Sequence, residues 1–417
     1  MAKPANIITA LDLGTSVCCA VIAEIGGPEK LDIIGVGTRK SRGVRKGVIV
    51  NLESLASSLQ GAVEDAETMA GHPVHEAMAT VPGAQVRSFT SHAPVTISAN
   101  DRIVTDRDLD RVLETVRAVQ IPTGQSILHV LPQEYTLDGQ PGIQDPVGMT
   151  GSRLEASVHV VTVPKQSGQH VVTAINQSQI EVGSLVFPLL AAAEAALTPD
   201  EKDLGVFLID CGGGTTDIAL FDRGALWFAS SIPVAGELIT NDISIGLRTP
   251  VPDAEQIKRS HARAVLDEED EVVLEIPTVG GGPPRMVGNQ LLAQIVQPRV
   301  REIFELVKQR IDRVGLGGRA RAGAVLVGGS ANLDGILGVA EEVLEMPVRK
   351  GLPQGIGGLI EEVKAPSFST AVGLTLWELR HGRKERAKAA AAKKPLRVFS
   401  GIRRGVRQAS SWIGNMF

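Results

Sequence analysis

The sequence predicts an α/β protein built from two halves of similar fold. Two observations carry this. FLIDCGGGTTDIALF at 207–221 sets two acids, three glycines and two threonines between apolar runs, a strand–turn–strand unit. About 200 residues earlier, IITALDLGTSVCCAVIAEIG repeats the pattern, with DLGTS at 12–16 standing where the second copy has DCGGGTT at 210–216. Around both copies, strand-like and helix-like stretches alternate, which is the pattern of layered α/β architecture with mixed sheets.

The elements follow in order. After the first unit, LDIIGVGTR reads as a further strand, and NLESLASSLQGAVEDAETMAG has helical spacing with Asn51 placed to cap it. EAMATVPGAQVRSFTSHAPVTIS returns to strand character. TDRDLDRVLETVRAV is a helix with Thr105 as N-cap and Asp108 three residues on. The stretch 126–164 is strand-like and rich in Pro and Gly; 165–180 is helical, and SLVFPLLAAAEAAL holds another helix. The second unit then starts, running into a third strand, ALWFASSI. Helices follow at 237–247, 253–266 and roughly 287–313, and AGAVLVGGSANLDGILGVAEEVL reads as strand, glycine turn, helix. GRKERAKAAAAKKPL, at 382–396, is low-complexity and reads as a linker.

With 417 residues, 43% of them hydrophobic and 21% charged, the chain is long enough for two or more packed domains. The cysteines are Cys18, Cys19 and Cys211, an odd count without framework spacing, so a reduced, cytosolic protein is expected. MAKPANIITALDLG lacks the form of a signal peptide. No window of about 20 residues is apolar and free of charge, so no membrane span is expected. The net charge of −5 hides an asymmetry: residues 383–417 carry ten Lys/Arg and one Glu, against −14 on the rest. A basic tail on an acidic body points to a negatively charged partner.

Asp-x-Gly-x-Ser/Thr between two strands suits a polyphosphate. Glycine lets backbone N–H groups wrap an anion, hydroxyls donate to phosphate oxygens, and the strand-end Asp can hold hydrated Mg²⁺. One such loop can equally be a glycine hairpin; two facing loops would clamp a polyphosphate from both sides. A third loop, VGGSANLDG at 327–335, offers helix N-terminal amides to a nucleotide. No GxxxxGK followed by Ser or Thr is present, and no GxGxxG follows the first strand, which excludes a P-loop and counts against a dinucleotide fold.

DLGTS, DCGGGTTD and GGSANLDG, in that order, resemble the two phosphate loops and the adenosine loop of the actin, heat-shock chaperone and sugar-kinase ATPases. LPQEYTLDG, DPVGMTGSRLEA, SIPVAGELITNDI, PSFSTAVGL and the basic amphipathic C-terminus resemble, within that superfamily, the FtsA family of bacterial division proteins. The resemblance implies an actin-like, duplicated RNase H-like ATPase fold, with two domains around a nucleotide cleft, an inserted small α/β subdomain and a C-terminal amphipathic helix. It implies a subdomain 1A at 6–84 and 163–200, an inserted subdomain 1C at 85–162, a subdomain 2A at 203–235 and 322–380, and a subdomain 2B at 236–321. It also implies ATP and Mg²⁺ as cofactors. Asp12 and Asp210 would hold the metal through water. Gly14, Thr15 and Ser16, with Gly212, Gly213, Gly214 and Thr215, would cradle phosphates. Asp217 would orient the attacking water, and Gly236 would line the cleft. Glu255 and Lys258 would meet ribose and adenine, and Gly328, Gly329 and Ser330 would close over the adenosine. Active relatives often carry Glu or Gln just before a Pro ahead of the second phosphate loop. Here that point is Phe187-Pro188, with Glu194 the nearby acid, so hydrolysis is expected to be slow.

The resemblance further implies that the chain ties FtsZ filaments to the inner face of the cytoplasmic membrane at the division site. The FtsZ C-terminal peptide would meet Arg285, Arg299 and Glu302, late division proteins would meet the inserted subdomain, and the chain would form filaments with itself. The tail supports the membrane part by its own pattern. At roughly 100° per residue, Val398, Ile402, Val406, Ala409, Ile413 and Met416 fall on one face of a helix over 397–417, flanked by Phe399 and Trp412, with Arg403, Arg404 and Arg407 opposite. Such a helix lies in the interface of an anionic bilayer, and Phe417 adds apolar area. A nucleic-acid tail needs no apolar stripe, so no nucleic-acid partner is expected. Competing classes are a small-molecule kinase, for which no polar substrate pocket is legible, a chaperone ATPase, which needs a peptide-binding domain, and a pilus-assembly homologue, which the basic tail opposes.

Overall fold

Each copy of the repeated unit founds a sheet. The computed structural model describes residues 7–27, 30–97, 101–118, 121–265 and 272–382. In it β1 (Ile7–Leu13), β2 (Val17–Ile25) and β3 (Leu31–Lys40) make an antiparallel meander. A short hairpin, β4 (Val44–Arg45) and β5 (Val48–Ile49), leads into α1 (Leu52–Ala70). Asn51 caps α1 by accepting from Ser54 N, and Gly71 ends it in the left-handed conformation. β6 (Glu76–Thr80) then runs parallel to β1.

The insertion follows: β7 (Arg87–Thr96), α2 (Asp106–Arg117), β8 (Gln125–Leu137), β9 (Gln140–Ile143) and β10 (Arg153–Pro164). It forms its own antiparallel sheet, ordered β7-β10-β8-β9, with Val112 and Val116 of α2 buried against Leu154, Ala156, Val158 and Val160. Thr105 and Asp108 bond each other at the start of α2, as their spacing predicts.

The chain returns through α3 (Lys165–Asn176) to β11 (Glu181–Val186), then α4 (Pro188–Ala196) and α5 (Pro199–Leu204). β12 (Val206–Cys211), β13 (Thr216–Asp222) and β14 (Ala225–Ile232) repeat the meander. α6 (Gly236–Leu247), α7 (Val251–His261), the hairpin β15 (Val273–Ile276) and β16 (Arg285–Gly288), and α8 (Asn289–Val314) lie between this meander and β17 (Ala324–Val327), which runs parallel to β12. α9 (Ile336–Leu344) connects to β18 (Val348–Lys350).

The duplication is visible in the sheets. The first is ordered β11-β6-β1-β2-β3 and the second β18-β17-β12-β13-β14, with matching parallel and antiparallel pairings. One assignment differs from the sequence reading, which places all of 322–380 in the second half. β19 (Gly357–Gly358) instead pairs with β3 of the first sheet. α10 (Ser369–Trp377) buries Ala371, Val372, Leu374 and Leu376 against that sheet's Ala10, Val21, Ala23 and Met78. α10 is buried on every side and its apolar residues follow no single face, so periodicity cannot show which neighbour it seeks. Helix α7 also ends earlier than 266, at His261.

α4 and α10 fill the space between the sheets. α4 turns Ala191 and Ala195 to the first sheet, and Leu189, Leu190 and Ala193 to Leu208, Val325 and Val327 of the second. α10 lies so close to α4 that a Cβ on Gly373 would stand 1.8 Å from Ala191 O. Gly373→Ala is therefore expected to lower stability by about 1–3 kcal/mol through forced separation of the helices. Gly338→Ala, in open space on α9, should raise it by up to about 1 kcal/mol. Thermal or urea unfolding of the two variants checks both signs.

Candidate functional site

β1 and β12 carry an aspartate, Asp12 and Asp210, as their next-to-last residue at equivalent points of the two sheets, and both open into one cleft of about 750 Å³. That volume is in the range of small-molecule sites. The cleft is walled by both repeated loops. Asp12, Gly14, Thr15 and Ser16 line one side; Asp210, Gly212, Gly213, Gly214, Thr215 and Asp217 line the other.

The two loops interlock. A Cβ on Gly213 would stand 1.8 Å from Ser16 Oγ, and one on Gly214 would stand 2.6 Å from Thr15 Oγ1. The glycines are there because hydroxyls of the opposite half occupy the space a side chain would need. Ser16 Oγ also donates to Glu237 Oε1 at 3.3 Å. Asp210 and Asp217 face each other across the β12–β13 register, joined by a four-residue loop.

Each carboxylate has a threonine hydroxyl. Thr80 Oγ1 donates to Asp12 Oδ1 at 2.8 Å and accepts from Leu13 N at 2.9 Å. Thr370 Oγ1 donates to Asp210 Oδ2 at 3.4 Å, and Thr215 Oγ1 to Asp217 Oδ2 at 3.1 Å. Asp217 Oδ1 is buried without a partner. Burial pushes all three upward. Asp12 reaches about 6 against the pull of Thr80, and Asp217 about 6; Asp210 reaches about 7, raised further by the charges of Asp217 and Asp12.

The third loop closes the cleft from the second half. Gly328 has φ +87°, and a Cβ there would meet Asp210 Oδ1 at 2.2 Å, so glycine is required. Ser330 Oγ donates to Gly212 O at 3.0 Å, and Gly236 N donates to the same carbonyl at 3.1 Å. Gly328, Gly329 and Ser330 line the cleft, while Gly236 stands just behind them. Glu255 and Lys258 pair at 2.7 Å and share Thr240, and Lys258 Nζ donates to Gly236 O at 3.1 Å. Both line the cleft rather than a solvated helix face.

These groups can hold a polyphosphate between two hydroxyl-lined loops, with a hydrated cation beneath it. Among the described residues no group of three or more His, Cys, Asp or Glu side chains converges as a direct metal cage. Carboxylates facing a shared cleft suit a cation held through its waters.

Several cleft residues were not legible beforehand: Thr80, Thr370, Gly83, Arg259 and Arg263. Pro188 lines the cleft and Phe187 borders Asp217, which puts the Phe-Pro step beside the phosphate loops. Glu194 lies at the other end of α4, bonded to Lys202 at 2.9 Å and to Arg380. Burial raises its carboxyl, but the two cations outweigh this and hold it below the usual range. Arg299 bonds Asp242 of α6 at 2.6 Å and also Glu302, and Arg285 donates to Leu247 O at the end of α6. The three lie on a surface of α6, β16 and α8, apart from the cleft lining. The tail residues lie outside the described residues.

Fold and cleft together define an actin-fold protein whose cleft is walled on both sides by glycine- and hydroxyl-bearing loops. Residues 207–373 match the family described as cell division protein FtsA, and 83–162 match the SHS2 domain inserted in FtsA. The chain is 43% identical to the cell division protein FtsA of Pseudomonas aeruginosa, over 90% of each chain. It is 36% identical to that of Escherichia coli K12, over 99% of this chain and 98% of the relative. It belongs to the FtsA family of cell division proteins. Among solved structures it resembles the PilM-PilN type IV pilus biogenesis complex (TM-score 0.65, 14% identity, 89% of this chain and 98% of that one). It also resembles MreB 5 of Spiroplasma citri bound to AMPPNP (TM-score 0.57, 14% identity, 93% and 100%). At that identity these two likenesses show the fold alone.

The raised carboxyls have a consequence for stability when nucleotide and divalent cation are left out of solution. A carboxyl raised in the folded state favours folding while protonated, and that support is lost as pH rises from the ordinary value through about 6–7. Asp210→Asn removes the charge. Without nucleotide or divalent cation it should melt above the unaltered protein at pH 8, and the gap should shrink by pH 5. An equal gap at both pH values would show that the Asp210 charge is not strained.

Proposed function

We propose that this chain is an ATP-binding, actin-like membrane adaptor of cell division. Mg-ATP binds between the interlocked loops, with Asp12 and Asp210 on the metal's waters, the glycines and hydroxyls on phosphate, and Asp217 on the attacking water. Gly328, Gly329 and Ser330, with Glu255, Lys258 and Gly236 behind, take the nucleoside. The interlock of Gly213 on Ser16 and Gly214 on Thr15 supports this, as does the likeness to an MreB crystallised with AMPPNP. Hydrolysis is slow, because Phe187 brings no acid or amide to the water and Glu194 is held by Lys202 and Arg380.

The body carries FtsZ to the membrane. The FtsZ C-terminal peptide docks at Arg285, Arg299 and Glu302, competing there with Asp242 and with the carbonyl of Leu247; exposed Met286 gives it apolar area. The inserted subdomain receives late division proteins, and the protein self-associates into filaments. No helix among the described residues is long and apolar enough to cross a membrane. The anchor is the segment 397–417, peripheral on the cytoplasmic side, and 382–396 is its tether.

The observation that carries this reading is the cationic, apolar-striped tail on a nucleotide-clamp body of the FtsA family. Co-sedimentation with anionic liposomes tests it, comparing the full chain with one ending at Leu396. Only the full chain should pellet, and high salt should weaken the effect. Equal behaviour of the two forms would remove the membrane role and leave a soluble actin-fold nucleotide binder.

A further inference from the structure

The phosphate end of the cleft is short of positive charge. Three carboxylates converge there: Asp12, Asp210 and Asp217. Among the described residues, the lysine and arginine side chains lining the cleft are Lys258, Arg259 and Arg263. Each is committed to an acid: Lys258 and Arg259 to Glu255, both at 2.7 Å, and Arg263 to Asp334 at 3.5 Å. A nucleoside triphosphate adds three to four negative charges to this space, and a divalent cation offsets only two.

The tip of the β4–β5 hairpin lies against both phosphate loops. Gly47 lines the cleft, and its N–H donates to Thr15 Oγ1 at 3.1 Å. On the other side, a Cβ added to Gly214 would stand 2.9 Å from Lys46 Cα. Arg45 pairs with Val48, so Lys46 and Gly47 form a two-residue turn, with φ of +48° and +68°. Such a turn wants Asn, Asp or Gly first, and lysine in the left-handed region is disfavoured. Lys46 is exposed, with no hydrogen bond or ion pair for its side chain among the described residues. Arg223 takes the same left-handed first position in the β13–β14 turn, away from the cleft, so the turn alone marks no site; Lys46 differs in standing between the two glycine loops with its side chain unpaired among the described residues. A breach of local preference beside a site is where a functional demand is expected.

We infer that Lys46 is a nucleotide-binding residue that swings over the cleft mouth and contacts the terminal phosphate of a nucleoside triphosphate. The inference rests on the nucleotide reading above and adds to it the group that distinguishes triphosphate from diphosphate. The flexible four-carbon stem with its ammonium suits this, since it can lie in solvent when the cleft is empty and reach inward when the third phosphate arrives. Lys40 is the rival: it is exposed and pairs in register with Val17, next to the first loop.

The test is calorimetric titration of Mg-ATP and Mg-ADP into the full-length protein and its variants. Lys46→Asn places the residue the turn prefers, so it should fold at least as stably as the unaltered protein by thermal melting. It should nonetheless weaken ATP binding by about tenfold or more and ADP binding by clearly less. Lys46→Arg should keep most of the ATP affinity, and Lys40→Ala should leave both nucleotides unchanged. Unchanged ATP affinity in Lys46→Asn, equal losses for ATP and ADP, or a selective ATP loss in Lys40→Ala would each overturn the assignment while leaving the nucleotide site standing. Failure of the unaltered protein to bind either nucleotide would overturn both.

Discussion

Three carboxylates held in one cleft are the constraint on which the site is built. Asp12, Asp210 and Asp217 come from two sheets, and burial alone lifts each toward neutrality. Coulomb repulsion in a partly desolvated cleft strengthens the effect. The fold does not relieve this with lining cations, since those are already paired with Glu255 and Asp334. It supplies hydroxyls instead, Thr80, Thr370 and Thr215, one to each acid. A hydroxyl steadies a carboxylate's orientation without cancelling its charge. The charge therefore stays on the carboxylates, at the cost of their raised pKa values.

The duplicated meander gives this arrangement its symmetry, and the glycines give it closeness. One strand order in both sheets brings two aspartates to one opening. Closing the opening requires loops from the two halves to touch, and side chains on Gly213 or Gly214 would strike Ser16 and Thr15. The halves are also joined behind the cleft, where α4 packs on both sheets and Gly373 seats α10 on Ala191. Small residues serve both contacts for the same reason, which is that backbone meets backbone or hydroxyl at distances no Cβ permits.

This explains which features could be read beforehand. DLGTS, DCGGGTTD and GGSANLDG are local motifs whose residue types are fixed by close approach, so they were legible, and the family resemblance oriented them. Thr80 and Thr370 were not, because each acts on an aspartate 68 or 160 residues away and nothing next to it in sequence marks it. α10 misled for a related reason: it follows the third loop, yet its buried Ala371, Val372, Leu374 and Leu376 complete the first sheet's core. Lys46 was hidden differently, since only the observed turn shows that a lysine stands where asparagine would be preferred. Arg299 and Arg285 were named by resemblance, and the structure adds that both are already bonded to α6.

α10 gives these contacts a direction. Its first turn lies at the cleft, where Ser367, Phe368 and Thr370 are lining residues and Gly328 N of the third loop donates to Pro366 O at 3.1 Å. Its last residue, Trp377, meets His129 of the inserted sheet edge-on at 5.6 Å and stacks on His381 at 4.2 Å, and Arg380 bonds Glu194 of α4. His129 Nε2 in turn accepts from Phe187 N, at the start of α4 beside Asp217. Ser369 to Leu376 are all buried, so α10 has no free face along which to flex. In a close-packed interior a helix held this way moves as a unit or not at all. A shift of Asp210 that carried Thr370 with it would therefore be felt at Trp377 and Arg380, the last turn before the basic segment begins at Arg383.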